Sequence, residues 1–139
     1  EKYDSLGRFE RGKSKGKLTR TDSLSWQDKS WVVGIQLNDE SKAYDWNKLK
    51  EERIINDQVG GKSIVLALSE DGQSFVAFER PAGTGNFTLK SDTLLINDKV
   101  YDFSGLDLST LSVRLKPVKA YQEFWHSWRT FHPDTKQYL

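Results

Sequence analysis

IVLALSEDGQSFVAFE (residues 64–79) is the stretch from which the fold is read. Two apolar runs, 64–68 and 75–79, flank Ser69-Glu70-Asp71-Gly72-Gln73-Ser74. Its Asp71-Gly72 pair tolerates the positive φ values of a tight turn, so the run reads as a β-hairpin. Working outward toward the C-terminus, the loop Pro81-Ala82-Gly83-Thr84-Gly85 is followed by three short strand-like runs, 87–90, 93–96 and 100–103. They turn at Ser91-Asp92 and at Asn97-Asp98. Toward the N-terminus, Trp31, Val33, Ile35 and Leu37 alternate with period two before Asn38-Asp39-Glu40-Ser41, and Ala43-Tyr44 resume the pattern beyond it. That is a second hairpin. Residues 46–55 fit either a short helix or a loop running into a strand, and Gly60-Gly61 mark a turn. Short strands joined by tight turns predict a mostly antiparallel meander.

A second stretch, PVKAYQEFWHSWRTFHPDTKQY (residues 117–138), carries an unusual density of rings. Tyr121, Phe124, Trp125, Trp128 and Phe131 recur at spacings that a 3.6-residue period places on one broad face. Pro117 suits a first helical turn, and Pro133 disfavours helix at His132. The spacing thus predicts a helix of roughly four turns ending near His132. Leu106, Leu108, Leu111 and Val113 fall in a connector with a helical turn over 108–111. An antiparallel sheet with one apolar face needs a cover and an aromatic helix face needs a platform. The predicted fold is therefore α+β and β-rich: a mostly antiparallel meander sheet of short strands covered by a C-terminal aromatic-rich helix. It forms a single domain over 31–139. Residues 1–30, with Arg8, Arg11, Lys13, Lys15, Lys17 and Arg20 between glycines and serines, read as a basic polar linker or lead-in.

A chain of 139 residues is one domain's worth, enough for a single core, and a second core is not expected. Lys+Arg 21 against Asp+Glu 20 leaves a formal charge of +1, so nothing global argues for nucleic acid, and any electrostatic function is local. The absence of cysteine excludes disulfides, zinc–thiolate centres, iron–sulfur clusters and thiol nucleophiles. There is no methionine, even at position 1, so the chain reads as an excised piece of a longer protein. No apolar run approaches the roughly 20 residues of a membrane-spanning helix, and no signal peptide is visible.

Candidate site residues are few. Asn56 and Asp57 precede Gly60-Gly61 and could position an acceptor at a loop. Arg80 and Arg129 carry guanidinium groups able to fork onto an anion. His126 and His132 are the only histidines, and six residues apart on a helix they would lie about 120° apart around the axis, too far for one ion. No metal and no cofactor is expected. Trp125 and Trp128 offer ring faces to a ligand. Protease, phosphate-loop and dinucleotide fingerprints are absent.

Val33-Gly34-Ile35, Lys42-Ala43-Tyr44, Ile55-Asn56-Asp57 with Gly60-Gly61, Phe78-Glu79-Arg80, and Phe124-Trp125 with Trp128 and Phe131-His132-Pro133-Asp134-Thr135 stand in this order along the chain. The ordered set resembles the domain of unknown function 3179 family over roughly residues 31–136. The resemblance implies a bacterial or archaeal protein, often exported, in which some Bacteroidetes-type members carry two successive copies of the domain. This chain then resembles the second copy, and an upstream copy is the implied partner. Many members carry a Cys-Pro-x-Cys-Gly-Ser motif; here Ser69 and Gly72 stand in place of its cysteines. Whatever thiol chemistry that motif performs is closed to this copy.

Two functional expectations follow. One is a non-catalytic extracytoplasmic module, structural or binding, whose cleft is bordered by Trp125, Trp128, Arg80 and Asn56 and takes a small-molecule or protein ligand. The other is a hydrolase-like or acid/base enzyme using Asp57, His126 and His132. Convergence of those residues in space separates the two.

Overall fold

The computed structural model describes residues 24–139. In chain order the elements are β1 (Trp31–Leu37), β2 (Glu40–Asp45), α1 (Trp46–Glu52), β3 (Ile54–Val59), β4 (Lys62–Leu68), β5 (Phe75–Glu79), β6 (Thr88–Lys90), β7 (Thr93–Ile96), β8 (Lys99–Tyr101), β9 (Ala120–Phe124), α2 (Trp125–Phe131) and β10 (Lys136–Gln137). The fold is β-rich, with antiparallel sheets and a C-terminal helix, as the sequence predicts. Instead of one meander sheet the described residues form three sheets, ordered β10-β2-β1-β9, β3-β4-β5 and β6-β7-β8.

β4 explains the layering. Its run Ile64-Val65-Leu66-Ala67-Leu68 lacks the polar alternation of a half-exposed strand because both of its faces are covered. Ile64, Leu66 and Leu68 join Val33, Ile35 and Tyr44 of the first sheet. Val65 and Ala67 pack with Phe87, Leu94, Ile96 and Tyr101 on the side of the third sheet. The middle sheet is thus the shared wall of two apolar layers. A third, smaller cluster of Val32, Ala43 and Trp128 lies on the opposite face of the first sheet, under α2.

Local chemistry sets the turns. The β1–β2 hairpin closes through Asn38 and Asp39, both at positive φ (49° and 69°), the conformation in which Asn and Asp are the most tolerant non-glycine residues. In the β4–β5 hairpin the left-handed position is Gly72 at φ 72°. The ambiguity at 46–55 resolves into a helix and a strand. The side chain of Asp45 accepts from the Lys48 N–H at 3.1 Å to start α1. Arg53, at φ 68°, ends it by donating its N–H to the Leu49 carbonyl at 2.7 Å.

The C-terminal stretch departs from prediction. Rather than a helix from Pro117 to His132, residues Ala120–Phe124 form β9, antiparallel to β1 with Trp31 opposite Phe124, and α2 has only seven residues. The segment AYQEF is short, and β1 offers it a complete ladder of backbone partners, which outweighs the weaker preference for helix. The five rings therefore share no face. Trp128 is buried, whereas Tyr121, Phe124 and Phe131 are exposed. Pro117 bridges to Phe78 on the edge of β5.

Most of the predicted lead-in, residues 1–23, lies outside the described residues, but 24–30 pack on the domain. The first N–H groups of α2 have no side-chain cap, and the lead-in satisfies them: Trp125 N–H donates to the Ser30 carbonyl at 2.8 Å and His126 N–H to the Asp28 carbonyl at 3.0 Å. Trp26 meets Trp125 edge-on at 4.9 Å between ring centroids.

Candidate functional site

The densest set of titratable groups sits where the first sheet meets the middle one. Period two in β2 places Lys42 and Tyr44 on one face, toward β3 and away from α2. The Tyr44 hydroxyl donates to Asp57 Oδ2 at 2.9 Å, and Lys42 Nζ reaches the same oxygen at 2.7 Å. Lys42 Nζ also stands 6.0 Å from the Tyr44 ring centroid and 5.8 Å from that of Tyr138, and these two rings lie 5.4 Å apart. Tyr138 in turn donates to Glu52 Oε1 at 2.9 Å, and Glu52 pairs with Lys48 at 3.3 Å. The chain of contacts joins β2, β3, α1 and the C-terminus.

Electrostatics fix the protons of both phenols. Burial, reinforced by the Asp57 carboxylate, pushes the Tyr44 phenol far above its ordinary value. Burial and the hydrogen bond to Glu52 push Tyr138 up to about 12. Both stay protonated donors at neutral pH. The side chains of Lys42 and Asp57 are 16% and 19% exposed, so the ion pair lies just beneath the surface. What this arrangement does chemically is hold a carboxylate between an ammonium and a phenol.

Asn56, next to Asp57, faces the other way. Its Nδ2 donates to the Phe87 carbonyl at 3.0 Å and its Oδ1 accepts the Phe87 N–H at 2.7 Å, a reciprocal clamp on the loop leading into β6. Arg80 secures the same loop. Nε donates to the Ile64 carbonyl at 2.9 Å, Nη2 to the Asp57 carbonyl at 3.0 Å, and Nη1 to the Gly85 carbonyl at 3.1 Å and to Asn86 Oδ1 at 3.0 Å. The guanidinium is spent on neutral acceptors of its own chain. Arg80 and Asn56 therefore border no cleft with Trp125 and Trp128, which lie on the far side of the first sheet.

The residues of α2 have their own partners. Trp128 covers Gly34 and donates its indole N–H to Thr135 Oγ1 at 2.8 Å. His132 lies against the Trp128 ring at 3.8 Å between centroids, and burial holds its imidazole below the ordinary value. Arg129 Nη2 donates to Asp28 Oδ1 at 2.6 Å, and His126 Nδ1 is 4.0 Å from the same oxygen. Asp57, His126 and His132 consequently occupy separate places, and the sheet of β1 and β2 stands between Asp57 and α2. No cluster of three or more potential metal ligands occurs among the described residues.

Ser69, at the position of the first missing cysteine, is buried and structural. Its hydroxyl donates to Asp71 Oδ1 at 2.6 Å and accepts the Ser74 N–H at 3.0 Å. That hydroxyl, with the Gln73 N–H, holds the Asp71 carboxyl below its ordinary value.

Lys42, Tyr44, Tyr138 and Glu52 are absent from the sequence-predicted set. Lys42 and Tyr44 had a visible signal, a lysine and a tyrosine two apart on a strand and hence on one of its faces. Tyr138 and Glu52 had none, since their meeting depends on where the C-terminus returns.

The resemblance motifs prove to be pairs of interlocking parts: Gly34 under Trp128, with Thr135 on its indole; Lys42 and Tyr44 on Asp57; Arg80 on the backbone of Asp57. No helix among the described residues is long and apolar enough to cross a membrane. No curated protein and no solved structure matches the chain. The model of one family, described as "Protein of unknown function (DUF3179)", matches residues 3–135, nearly the whole length, and the chain belongs to that family.

Proposed function

We propose that this chain is a non-catalytic structural or binding module of a longer exported protein, acting in the periplasm or cell envelope as the C-terminal of two copies of its domain. Export and duplication rest on the family resemblance. The non-catalytic reading rests on one observation: the polar groups best suited to chemistry are engaged in holding sheets and loops together. Arg80 is committed to four acceptors of its own chain, and the single oxygen Asp57 Oδ2 to Lys42 and Tyr44.

Stability measurements test this. Groups kept for catalysis are held at a cost to the fold, so their removal commonly leaves a protein as stable or more stable. Groups kept for the fold destabilise when removed. Arg80→Ala and Asp57→Asn should each lower unfolding stability by about 1–3 kcal/mol in urea melts, because each leaves buried partners unsatisfied. A gain in stability for either variant would overturn the reading. Fractionation of cells producing the full-length protein tests location, and retention in the cytoplasm would refute it.

A further inference from the structure

We propose that the turn joining residues 105–108 to 113–115 is a membrane-docking tip that lies in the headgroup boundary of an anionic lipid surface. The proposal begins with one leucine. Leu111 sits at φ 56°, in the left-handed region where a bulky side chain is strained, and it is 66% exposed. The other described non-glycine residues with positive φ are Trp26, Asn38, Asp39, Arg53, Ser91 and Asn97, so Leu111 is the one aliphatic among them. Glycine or asparagine would fit that backbone with neither the strain nor the apolar exposure. A leucine kept there at a double cost is accounted for when its side chain is used on a partner. Leu108 and Val113 flank it, 43% and 52% exposed.

The backbone beneath these side chains is braced and satisfies its own donors. Tyr101 opposite Asp107 and Leu106 opposite Arg114 extend the third sheet through this turn. Leu108 N–H donates to the Val100 carbonyl at 2.9 Å and Leu111 N–H to the Asp107 carbonyl at 2.8 Å. The buried Asp107 side chain accepts the Ser109 N–H at 2.8 Å, and Thr110 Oγ1 accepts the N–H groups of Ser112 and Val113 at 3.3 Å. Those donors keep their partners when the tip enters a boundary poor in water. A partner that adds a strand would find the same donors already taken.

Charge selects lipid as the occupant. Residues 108–113 carry no ionisable side chain. Basic residues stand on both sides of them: Arg114 follows in the chain, and Lys99 on β8 places its Nζ 3.8 Å from Asp107 Oδ2 with 59% of its side chain exposed. From Phe103 to Lys119 the only carboxylate is the buried Asp107, against exposed Arg114, Lys116 and Lys119. An uncharged apolar tip between basic flanks suits an anionic membrane, with leucines below the headgroups and cations level with the phosphates. Two carboxylates oppose the attraction. Asp98 is exposed on the neighbouring β7–β8 turn, and Asp102, near enough to Arg114 for their charges to interact, accepts the N–H groups of Ser104 and Leu106. Binding therefore needs the leucines and the basic flanks together. The proposal deepens the reading of a binding module in the cell envelope and rests on it for where the chain meets such a surface.

Flotation of the whole chain with vesicles of equal parts phosphatidylglycerol and phosphatidylethanolamine tests the proposal, with phosphatidylcholine vesicles as the comparison. The chain should float with the anionic vesicles, less so as salt rises, and far less with the neutral ones. Leu111→Asp should weaken binding about tenfold or more and Arg114→Gln about fivefold, while Asp98→Asn should strengthen it. Leu111→Asn should weaken binding yet leave the urea midpoint equal or higher, because it relieves the backbone; a midpoint that falls would give the leucine a folding role and overturn the proposal. With no cysteine elsewhere in the chain, Leu111→Cys takes a single polarity-sensitive dye, whose emission should shift to the blue on vesicle binding. Binding that survives Leu111→Asp, or a dye that stays in water, would assign attachment to the basic residues before Trp31 and overturn the tip. Absence of binding to anionic vesicles overturns it too, and leaves the fractionation result on location untouched. Self-association lost in Leu111→Asp, in a chain that ignores vesicles, would make a second copy the occupant instead.

Discussion

Gly34 and Trp128 show how one residue makes room for another. A Cβ on Gly34 would fall inside the Trp128 indole, so the ring lies directly on the β1 backbone between Val32 and Ala43. Gly34→Ala should destabilise by about 1–3 kcal/mol through overpacking, and Trp128→Ala by about 3–5 kcal/mol through lost burial. His126, exposed and placed beside Asp28, should cost no more than about 0.5 kcal/mol on truncation to Ala. Urea melts of the three variants check the ranking; a near-neutral Trp128→Ala would mean the ring is kept for a ligand instead. His132 adds a pH term. Its folded-state value is depressed by burial, so at neutral pH both states carry a neutral ring. As pH falls below about 6.5 the unfolded chain takes the proton first, and stability declines toward the lower folded value. Melts between about pH 7 and 5 should show that decline in the parent chain and a shallower one in His132→Phe.

Elements differ in how far they announce themselves. β4, β5 and the hairpin between them are legible because two apolar runs flank an Asp-Gly turn, and β1 because Trp31, Val33, Ile35 and Leu37 recur with period two. α1 was legible only as one of two alternatives: its start depends on Asp45, a residue that also ends β2. β9 was misread because Tyr121, Phe124, Trp125, Trp128 and Phe131 satisfy the helical period by accident of spacing. What decides there is the unpaired edge of β1, a tertiary fact absent from the local sequence. For the same reason Asp57 is legible from its own neighbourhood, whereas Tyr138 and Glu52 are not. At this scale the cap of α1 gives a direct test. Asp45→Ala removes the acceptor for Lys48 N–H and for the Ser25 hydroxyl, 2.5 Å away, and should cost about 1–2 kcal/mol. Asp45→Asn, which keeps a side-chain oxygen, should recover part of it. Equal losses would assign the effect to the carboxylate charge rather than to the cap.

For the whole molecule, the question is where the folding unit begins. Composition changes at Trp31 from polar and glycine-punctuated to strand-like, which predicts a unit of 31–139. Contacts made by residues 24–30 argue for an earlier start. They satisfy the first two N–H groups of α2, set Trp26 against Trp125, and bring Asp28 to the guanidinium of Arg129. Ser30, itself buried, links the segment back on itself by donating to the Leu24 carbonyl at 2.8 Å and accepting the Gln27 N–H at 3.0 Å. Cutting before Trp31 would leave helix donors unsatisfied beside partly buried rings, a loss of about 1–3 kcal/mol for each group that stays dry. A chain starting at Leu24 should therefore melt cooperatively with the midpoint of the parent, whereas one starting at Trp31 should melt several degrees lower or lose cooperativity. Calorimetry on the two truncations decides: equal midpoints would return the boundary to Trp31, and a drop already present at Leu24 would extend the folding unit into residues 1–23.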